Sequence, residues 1–203
     1  MTASGRASRS GPPGEVRIIG GRWRRSRLPV LALPGLRPTP DRVRETLFNW
    51  LGQDLHGWRC VDAFAGTGAL GLEAASRGAA QVVLIERHAA LLRALQQHVQ
   101  RLQGAAEVVQ LRAGDALAQM AALPAAAWDL VLLDPPFDGG AALFEAALDH
   151  ARRLVRPCGW TYLEAPRLWD DAALGALGWQ AHRRLQAGQV HAHLLRTADN
   201  AAP

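Results

Sequence analysis

The residues best equipped for chemistry are Asp134-Pro135-Pro136-Phe137, which close the apolar run Leu130-Val131-Leu132-Leu133. A strand of that kind delivers the tetrapeptide to the carboxyl edge of a sheet, where ligands bind in open α/β folds. The two prolines stiffen the loop and remove two backbone donors, so carbonyl acceptors stand free. A carboxylate, bare carbonyls and an aromatic ring suit the task of holding an exocyclic amino group on a flat base. Asp134 and the Pro135 carbonyl accept its two N–H bonds, and Phe137 stacks on the ring. The lone pair of such an amine is drawn into its ring. Accepting its hydrogens and turning the lone pair toward an electrophilic carbon restores reactivity through positioning and electrostatics. The plain alternative is a rigid corner between strand and loop.

Upstream, Asp62-Ala63-Phe64-Ala65-Gly66-Thr67-Gly68-Ala69-Leu70-Gly71 matches G-x-G-x-x-G at glycines 66, 68 and 71. Glycines there allow a tight turn and let a ligand touch backbone. Glu86 follows Gly66 by 20 positions, where an acid grips a ribose diol. To this point a nicotinamide dinucleotide fits as well. Asp62 argues against it: an acid at the strand's carboxyl end repels a pyrophosphate but faces a cationic group, such as the ammonium of a methionine moiety. Asp115, just past the third strand, is placed to meet an adenine amino group. For each acid the alternative is a helix cap or a loop ion pair.

The elements that must position these groups alternate from residue 58 onward. Apolar strands are expected at Cys60–Phe64, Val82–Glu86, Val108–Arg112, Asp129–Asp134 and Trp160–Leu163, with helices near 69–77, 88–102, 116–122 and 141–154. Such alternation gives a mostly parallel sheet with helices on both faces. Trp179–Leu185 and Val190–Leu195, linked by Gln186-Ala187-Gly188-Gln189, form a closing hairpin. The expected fold class is therefore α/β: a Rossmann-like, three-layer arrangement around a seven-stranded sheet that ends in an antiparallel hairpin, the methyltransferase variant of the doubly wound fold. Domain limits follow: a disordered tail at 1–14, a basic ribbon plus helix at 15–57, the main domain at 58–197 and a short tail at 198–203.

The front end is basic. All 23 basic residues are arginine; residues 1–60 carry eleven against four acids, net +7, and residues 61–203 carry twelve against fourteen, net −2. The lack of lysine fits a GC-rich genome, but the asymmetry fits phosphate-backbone binding. Val16–Ile19, a Gly20-Gly21 turn and Arg22–Leu28 read as a two-stranded ribbon. Alternation puts Arg22, Arg24 and Ser26 on one face and Trp23, Arg25 and Arg27 on the other, which suits gripping nucleic acid; a charged edge hairpin is the alternative. Thr39 is expected to cap a helix with Pro40 in its first turn, Val43, Leu47, Trp50 and Leu51 as its apolar stripe and Gly52 at its end.

Asp62…Gly66-x-Gly68 together with Asp134-Pro-Pro-Phe137 resembles the S-adenosylmethionine-dependent amino-methyltransferases. Arg17-Ile-Ile-Gly-Gly21, the run Arg37-Pro-Thr-Pro-Asp-Arg-Val-Arg-Glu-Thr-Leu-Phe-Asn49 and Phe64–Ala74 closely resemble the RsmD family of bacterial 16S rRNA guanine-N2 methyltransferases. The resemblance covers about residues 16–197. It implies N2-methylation of a guanine, with 16S rRNA or the 30S subunit as partner, S-adenosylmethionine as cofactor and no obligate protein partner. It implies that Asp134, Pro135 and Phe137 hold the guanine amine. Asp62, Phe64, Ala65, Gly66, Thr67, Gly68, Glu86, Arg87, Asp115 and Ala116 would hold the cofactor. Arg37, Thr39, Arg42 and Arg44 would border that pocket and reach for RNA, beside the arginines and Trp23 of the ribbon. Cys158 departs from the pattern, standing where a glycine often follows the proline.

The remaining features narrow the class. No apolar run approaches the roughly 18 residues of a membrane helix, so no membrane partner is expected. Cys60 and Cys158 cannot build a disulfide framework or a multi-cysteine zinc site, and they fit a reducing, cytoplasmic setting. His191 and His193 lack a third ligand and read as surface or packing residues; no metal is needed where a sulfonium carries the driving force. Pro157-Cys158 mimics the dipeptide of cytosine-C5 methyltransferases but lies in the wrong connection, and a turn before the fifth strand is the expected setting. Other readings are an adenine-N6 DNA methyltransferase, which would need a recognition region, and a non-catalytic RNA-binding assembly factor, which would not need Asp134.

Overall fold

The computed structural model describes residues 14–33 and 39–198. In chain order the elements are β1 Glu15–Arg17, β2 Arg27–Pro29, α1 Asp41–Trp50, β3 Arg59–Asp62, α2 Ala69–Ser76, β4 Gln81–Glu86, α3 Ala89–Arg101, α4 Ala105–Val108, β5 Val109–Ala113, α5 Ala116–Ala121, β6 Trp128–Leu133, α6 Gly140–Leu154, β7 Val155–Ala165, α7 Asp171–Ala176, β8 Trp179–Ala187 and β9 Val190–Thr197. A single 3-10 turn, Phe137–Gly139, precedes α6.

Strands β3 to β9 form one seven-stranded sheet in the order β5-β4-β3-β6-β7-β9-β8. Strands β3 to β7 pair in parallel, and β9 runs antiparallel to both β7 and β8. All six residues of β6 are buried, as a central parallel strand covered on both faces requires. One apolar layer gathers α1, α2 and α3 on one face, and the other gathers α5, α6 and α7. The chain winds outward from β3 to β5 and returns to β6 on the other side of β3. The order therefore reverses between β3 and β6, the switch point where such sheets bind ligands. Asp62 ends β3 and Asp134 follows β6, so both acids flank that crevice.

The front end departs from the expected ribbon. Its strands have three residues each, with Val16 opposite Leu28. Residues 18–26 form an irregular turn, closed by Ile18 N–H to Ser26 O at 2.9 Å and Arg25 N–H to Ile18 O at 2.9 Å. Gly20-Gly21 is not a hairpin turn. It is the point where the segment presses on α2: a Cβ on Gly21, at φ +71°, would collide with the Ser76 carbonyl. The same carbonyl accepts from Arg22 N–H at 2.8 Å, while the Ser76 hydroxyl donates to Gly20 O at 2.6 Å. Thr39 does not cap α1; the N-terminal position is Pro40 and carries no side-chain cap. Helix α1 buries Val43, Arg44, Leu47 and Phe48, so an arginine stands in what the apolar spacing marks as its inner stripe. Cys158 lies inside β7, not in a turn before it, at the irregular pairing with β6 and at φ +63°. That left-handed conformation is the one glycine favours. The tails expected at 1–14 and 198–203 fall outside the described residues except for Gly14 and Ala198.

Candidate active site

The glycine loop is a tight turn between β3 and α2. Gly66 and Gly68 hold φ of +52° and +78°, and Gly68 N–H donates to Ala65 O at 2.6 Å. Gly71 serves packing: a Cβ there would strike Leu84 and sit 3.0 Å from Asp62 Oδ2. Its absence lets Gly71 N–H donate to Asp62 Oδ2 at 2.9 Å. The other oxygen, Asp62 Oδ1, is buried and lacks a partner, the only carboxylate oxygen in that condition among the described residues. Burial pushes the Asp62 carboxyl up to about 7, and the Glu86 charge adds to the rise. A buried oxygen with nothing to accept is costly unless a ligand supplies the donor. Glu86 orders the loop from the next strand, accepting from Gly66 N–H at 2.9 Å and from His88 N–H at 2.7 Å. Phe64 is half-buried, Ala65, Thr67 and Ala116 are buried, and Arg87 is exposed. Asp115 takes the plain alternative in part: its Oδ1 caps α5, accepting from Ala118 N–H at 3.1 Å.

At the end of β6 the Asp134 carboxyl is partly buried beside two further groups of one face. Thr39 Oγ1 lies 3.5 Å from Asp134 Oδ2. Glu164, near the end of β7, is 2% exposed and accepts from the Tyr162 hydroxyl at 2.9 Å. Leu133 pairs with Leu163, so the next residues, Asp134 and Glu164, leave neighbouring parallel strands side by side. Burial, then the Glu164 and Asp62 charges, raise the Asp134 carboxyl well above the ordinary carboxylate range. Glu164 is also raised, chiefly by burial, against the pull of hydrogen bonds from Tyr162 and Thr39. Phe137 stands 39% exposed. It shares a hollow of about 300 Å³ with Phe144, Pro166, Arg167 and Trp169.

The expected nucleic-acid residues divide. Arg22, Arg24, Arg25, Arg27 and Arg42 are exposed. Arg22 donates to Gly104 O at 3.2 Å and Arg27 pairs with Glu15 at 3.0 Å. Trp23 is not available for stacking on a base: it is 6% exposed, with Nε1 donating to Gln103 O at 3.0 Å and the Arg22 guanidinium 4.3 Å over its ring. Reading 22–28 as a strand put Trp23 on an open face, whereas the turn tucks it onto the body. Arg44 cannot reach RNA either. It is fully buried, pairing with Asp41 at 2.6 Å and Glu73 at 3.3 Å and donating to Arg17 O at 2.9 Å. Thr39 is buried and faces Asp134 rather than solvent. Arg37 lies outside the described residues. His193 is a packing residue, accepting at Nε2 from Trp169 N–H at 3.1 Å while burial holds its pKa down at about 4.

Sequence reasoning missed Glu164, Tyr162 and Glu73. Glu164 carries a signal of its own, because Asp62, Glu86 and Asp134 all sit at carboxyl ends of strands and Glu164 does too. Glu73 is wholly buried on α2, where its carboxyl accepts from Ile19 N–H at 2.8 Å, Gly20 N–H at 2.7 Å, Arg44 Nη1 at 3.3 Å and Arg77 Nε at 2.9 Å.

Residues 16–196 match the family model described as conserved hypothetical protein 95. The chain is 43% identical over 183 residues to ribosomal RNA small subunit methyltransferase D of Escherichia coli, covering 87% of each chain. It is 42% identical over 180 residues to the protein of the same name from Haemophilus influenzae, covering 87% of this chain and 91% of that one. A solved structure of the Escherichia coli protein yhhF superposes with a TM-score of 0.76 at 39% identity, covering 91% of this chain and 98% of that one.

Proposed function

The chain belongs to the conserved hypothetical protein 95 family, the RsmD family, and from that premise we propose that it methylates the exocyclic N2 amine of a guanine in bacterial 16S rRNA, within the 30S subunit and in the cytoplasm. It is an S-adenosylmethionine-dependent methyltransferase acting on small-subunit rRNA. The observation that carries the reading is the pairing, across one switch point, of a buried unpartnered carboxylate oxygen with Asp134-Pro135-Pro136-Phe137.

The residues present fit the cofactor. Asp62 Oδ1 offers an acceptor for an ammonium, the glycine turn leaves backbone open, and Glu86 and Asp115 offer carboxylates for hydroxyl and amino donors. Phe64, Ala65, Thr67, Arg87 and Ala116 border the same loop ends. When bound, S-adenosylmethionine supplies a methyl group made electrophilic by its sulfonium. Asp134 and the Pro135 carbonyl then accept the amine hydrogens and aim the nitrogen lone pair, while Phe137 stacks on the base and excludes water. The exposed arginines at 22, 24, 25, 27 and 42 and the stretch around Arg37 grip phosphates. In this division residues 15–57 face the RNA and 58–197 carry the transfer.

The test is transfer of labelled methyl from S-adenosylmethionine to 30S subunits that lack the modification, with Asp134→Ala alongside and the nucleoside identified by mass spectrometry. N2-methylguanosine from the wild type and none from the variant is expected. Label on adenine in DNA, or no label in any rRNA despite cofactor binding, overturns the reading.

A further inference from the structure

The contacts around Thr39 demand more hydrogens than its side chain has. A hydroxyl carries one donor hydrogen and accepts with its lone pairs. Yet Thr39 Oγ1 approaches Asp134 Oδ2 at 3.5 Å and also stands near enough to the Glu164 carboxyl to favour its ionised form. If both acids were ionised, one of the two contacts would be oxygen against oxygen with no hydrogen between. One carboxyl proton removes the conflict, since the protonated acid donates to Oγ1 and the Thr39 hydrogen goes to the other acid. Side-by-side carboxyls at the ends of β6 and β7, in an apolar setting, cannot both ionise readily either. The Tyr162 hydroxyl occupies Glu164 Oε1, and that strand residue is fully buried, so solvent does not reach in to separate the charges.

We propose that Asp134 and Glu164 share one proton through the Thr39 hydroxyl, and that Glu164 takes this proton when the substrate amine arrives, leaving Asp134 as the anion the amine needs. Glu164 is thus a positioning residue for Asp134. The inference rests on the reading of Asp134 as the amine acceptor. In the free enzyme, hydrogen bonds from Tyr162 and Thr39 favour ionised Glu164, so the proton resides on Asp134. An arriving N–H donor favours ionised Asp134. The Asp134 proton then passes to Thr39 Oγ1 as the Thr39 hydrogen passes to Glu164, with no change in net charge. Forming the N–C bond, as the S–C bond breaks and sulfur keeps its electron pair, leaves the nitrogen one proton in excess. Asp134 accepts that proton, the pair is briefly neutral, and one proton leaves to solvent with the product.

The groups that set this balance come from every neighbouring element. Asp62 on β3 adds negative charge near Asp134, while burial and the Glu164 charge hold the Tyr162 hydroxyl on β7 well above the usual phenol range, so it stays a neutral donor. Glu86 on β4 acts on Asp62, and Arg44 on α1 is the cation that favours ionised Glu164. Because the two acids are coupled, their titration steps belong to the pair.

The experiment follows side-chain carboxyl carbons by NMR across pH in the full-length enzyme, with Asp134→Asn to assign the signal. Glu164→Gln keeps the shape but removes the like charge, so the Asp134 midpoint is expected to fall by about one unit or more. Thr39→Val removes the acceptor of the Asp134 proton and the donor to Glu164, so the same midpoint is expected to fall; it decides the matter if Glu164→Gln does not fold. An Asp134 midpoint unchanged in Glu164→Gln, or unchanged or raised in Thr39→Val, overturns the proposal. The acid limb of the methyl-transfer rate is expected to shift downward with the midpoint in Glu164→Gln and to return in Glu164→Asp. If the wild type methylates no rRNA, the functional reading fails while the titration still tests the shared proton.

Discussion

Glu73 and Asp62 are both buried carboxyls tied to helix α2, yet one is saturated and the other is not. Glu73 meets two guanidinium groups and two backbone N–H groups, which fasten the front-end segment and α1 to the body. Asp62 has a backbone bond on one oxygen and nothing on the other, and burial lifts its carboxyl to about 7. Across the switch point, Asp134 and Glu164 are likewise raised, chiefly by burial. A fold that needs an acid for its own integrity completes its partners; a site that needs it for a ligand leaves the place open. The clasp and the crevice are one helix apart, so the contrast reflects role and not general packing quality.

The largest effect is expected where the saturated acid is removed. Glu73→Ala leaves Arg77 buried without a counter-charge and strips the buried Arg44 of one of its two acidic partners, a change that costs about 3–5 kcal/mol. Thermal unfolding should move down by roughly 10 °C, and amide exchange at Ile19 and Gly20 should quicken first. An unchanged melting temperature would break the comparison from the structural side. Asp134→Asn should act in the opposite way. Methyl transfer is expected to fall by about 10²–10³-fold, since the acceptor we propose for the reacting amine is lost, while the melting temperature holds or rises. Equal loss of stability in the two variants would show that the acids do the same work.

Asp62→Asn probes the same contrast through pH. The native carboxyl near 7 stands above its value in the unfolded chain, so between about pH 4 and 7 the native state holds a proton that the unfolded state has released. Stability from this group is therefore full below pH 4 and is lost as pH rises toward 7. An amide has no such slope and still accepts from Gly71 N–H. The variant should gain on the wild type as pH climbs, reaching about 1–3 kcal/mol above pH 7, and should bind S-adenosylmethionine at least tenfold more weakly. Denaturant titrations at pH 5 and 8, with calorimetric binding, measure both arms; a gain that shrinks toward pH 8 would contradict the sign.

Much of this was readable in the chain. The β-α alternation, the closing hairpin, the glycine loop and the tetrapeptide after β6 are local signals, and each lies where its pattern put it. The clasp was not readable. Whether residues 22–28 alternate as a strand or fold as a turn is decided by Gly20-Gly21 docking on Ser76, a contact 53 or more positions away. The burial of Trp23 and Arg44 follows from that docking and from Glu73, and a basic stretch on its own reads as a solvated face. Thr39 looked like a cap because residues 39–41 suit a helix start, and only the fold brings Asp134 across from 95 positions away. Glu164 was legible in principle as an acid at a strand's carboxyl end, within the otherwise uncharged run Thr161–Ala165.

The smallest expected effect lies outside both regions. Cys158 sits at φ +63° in the irregular part of β7, six residues before Glu164, which is about 20 Å along an extended strand. A side chain in the left-handed region costs roughly 1–2 kcal/mol, and Cys158→Gly relieves it. Glycine loosens the unfolded chain and gives back about 0.4–1 kcal/mol, so the net gain is about 0.5 kcal/mol and the melting temperature should rise by roughly 1–2 °C. Methyl transfer should not change. Strain at this position touches neither the clasp nor the crevice, so it tests whether the open oxygen of Asp62 and the raised carboxyl of Asp134, rather than strain of any kind, mark the site. A Cys158→Gly enzyme that is more stable and equally active keeps that distinction; a loss of methyl transfer would place strain in β7 among the devices that align Glu164 with Asp134.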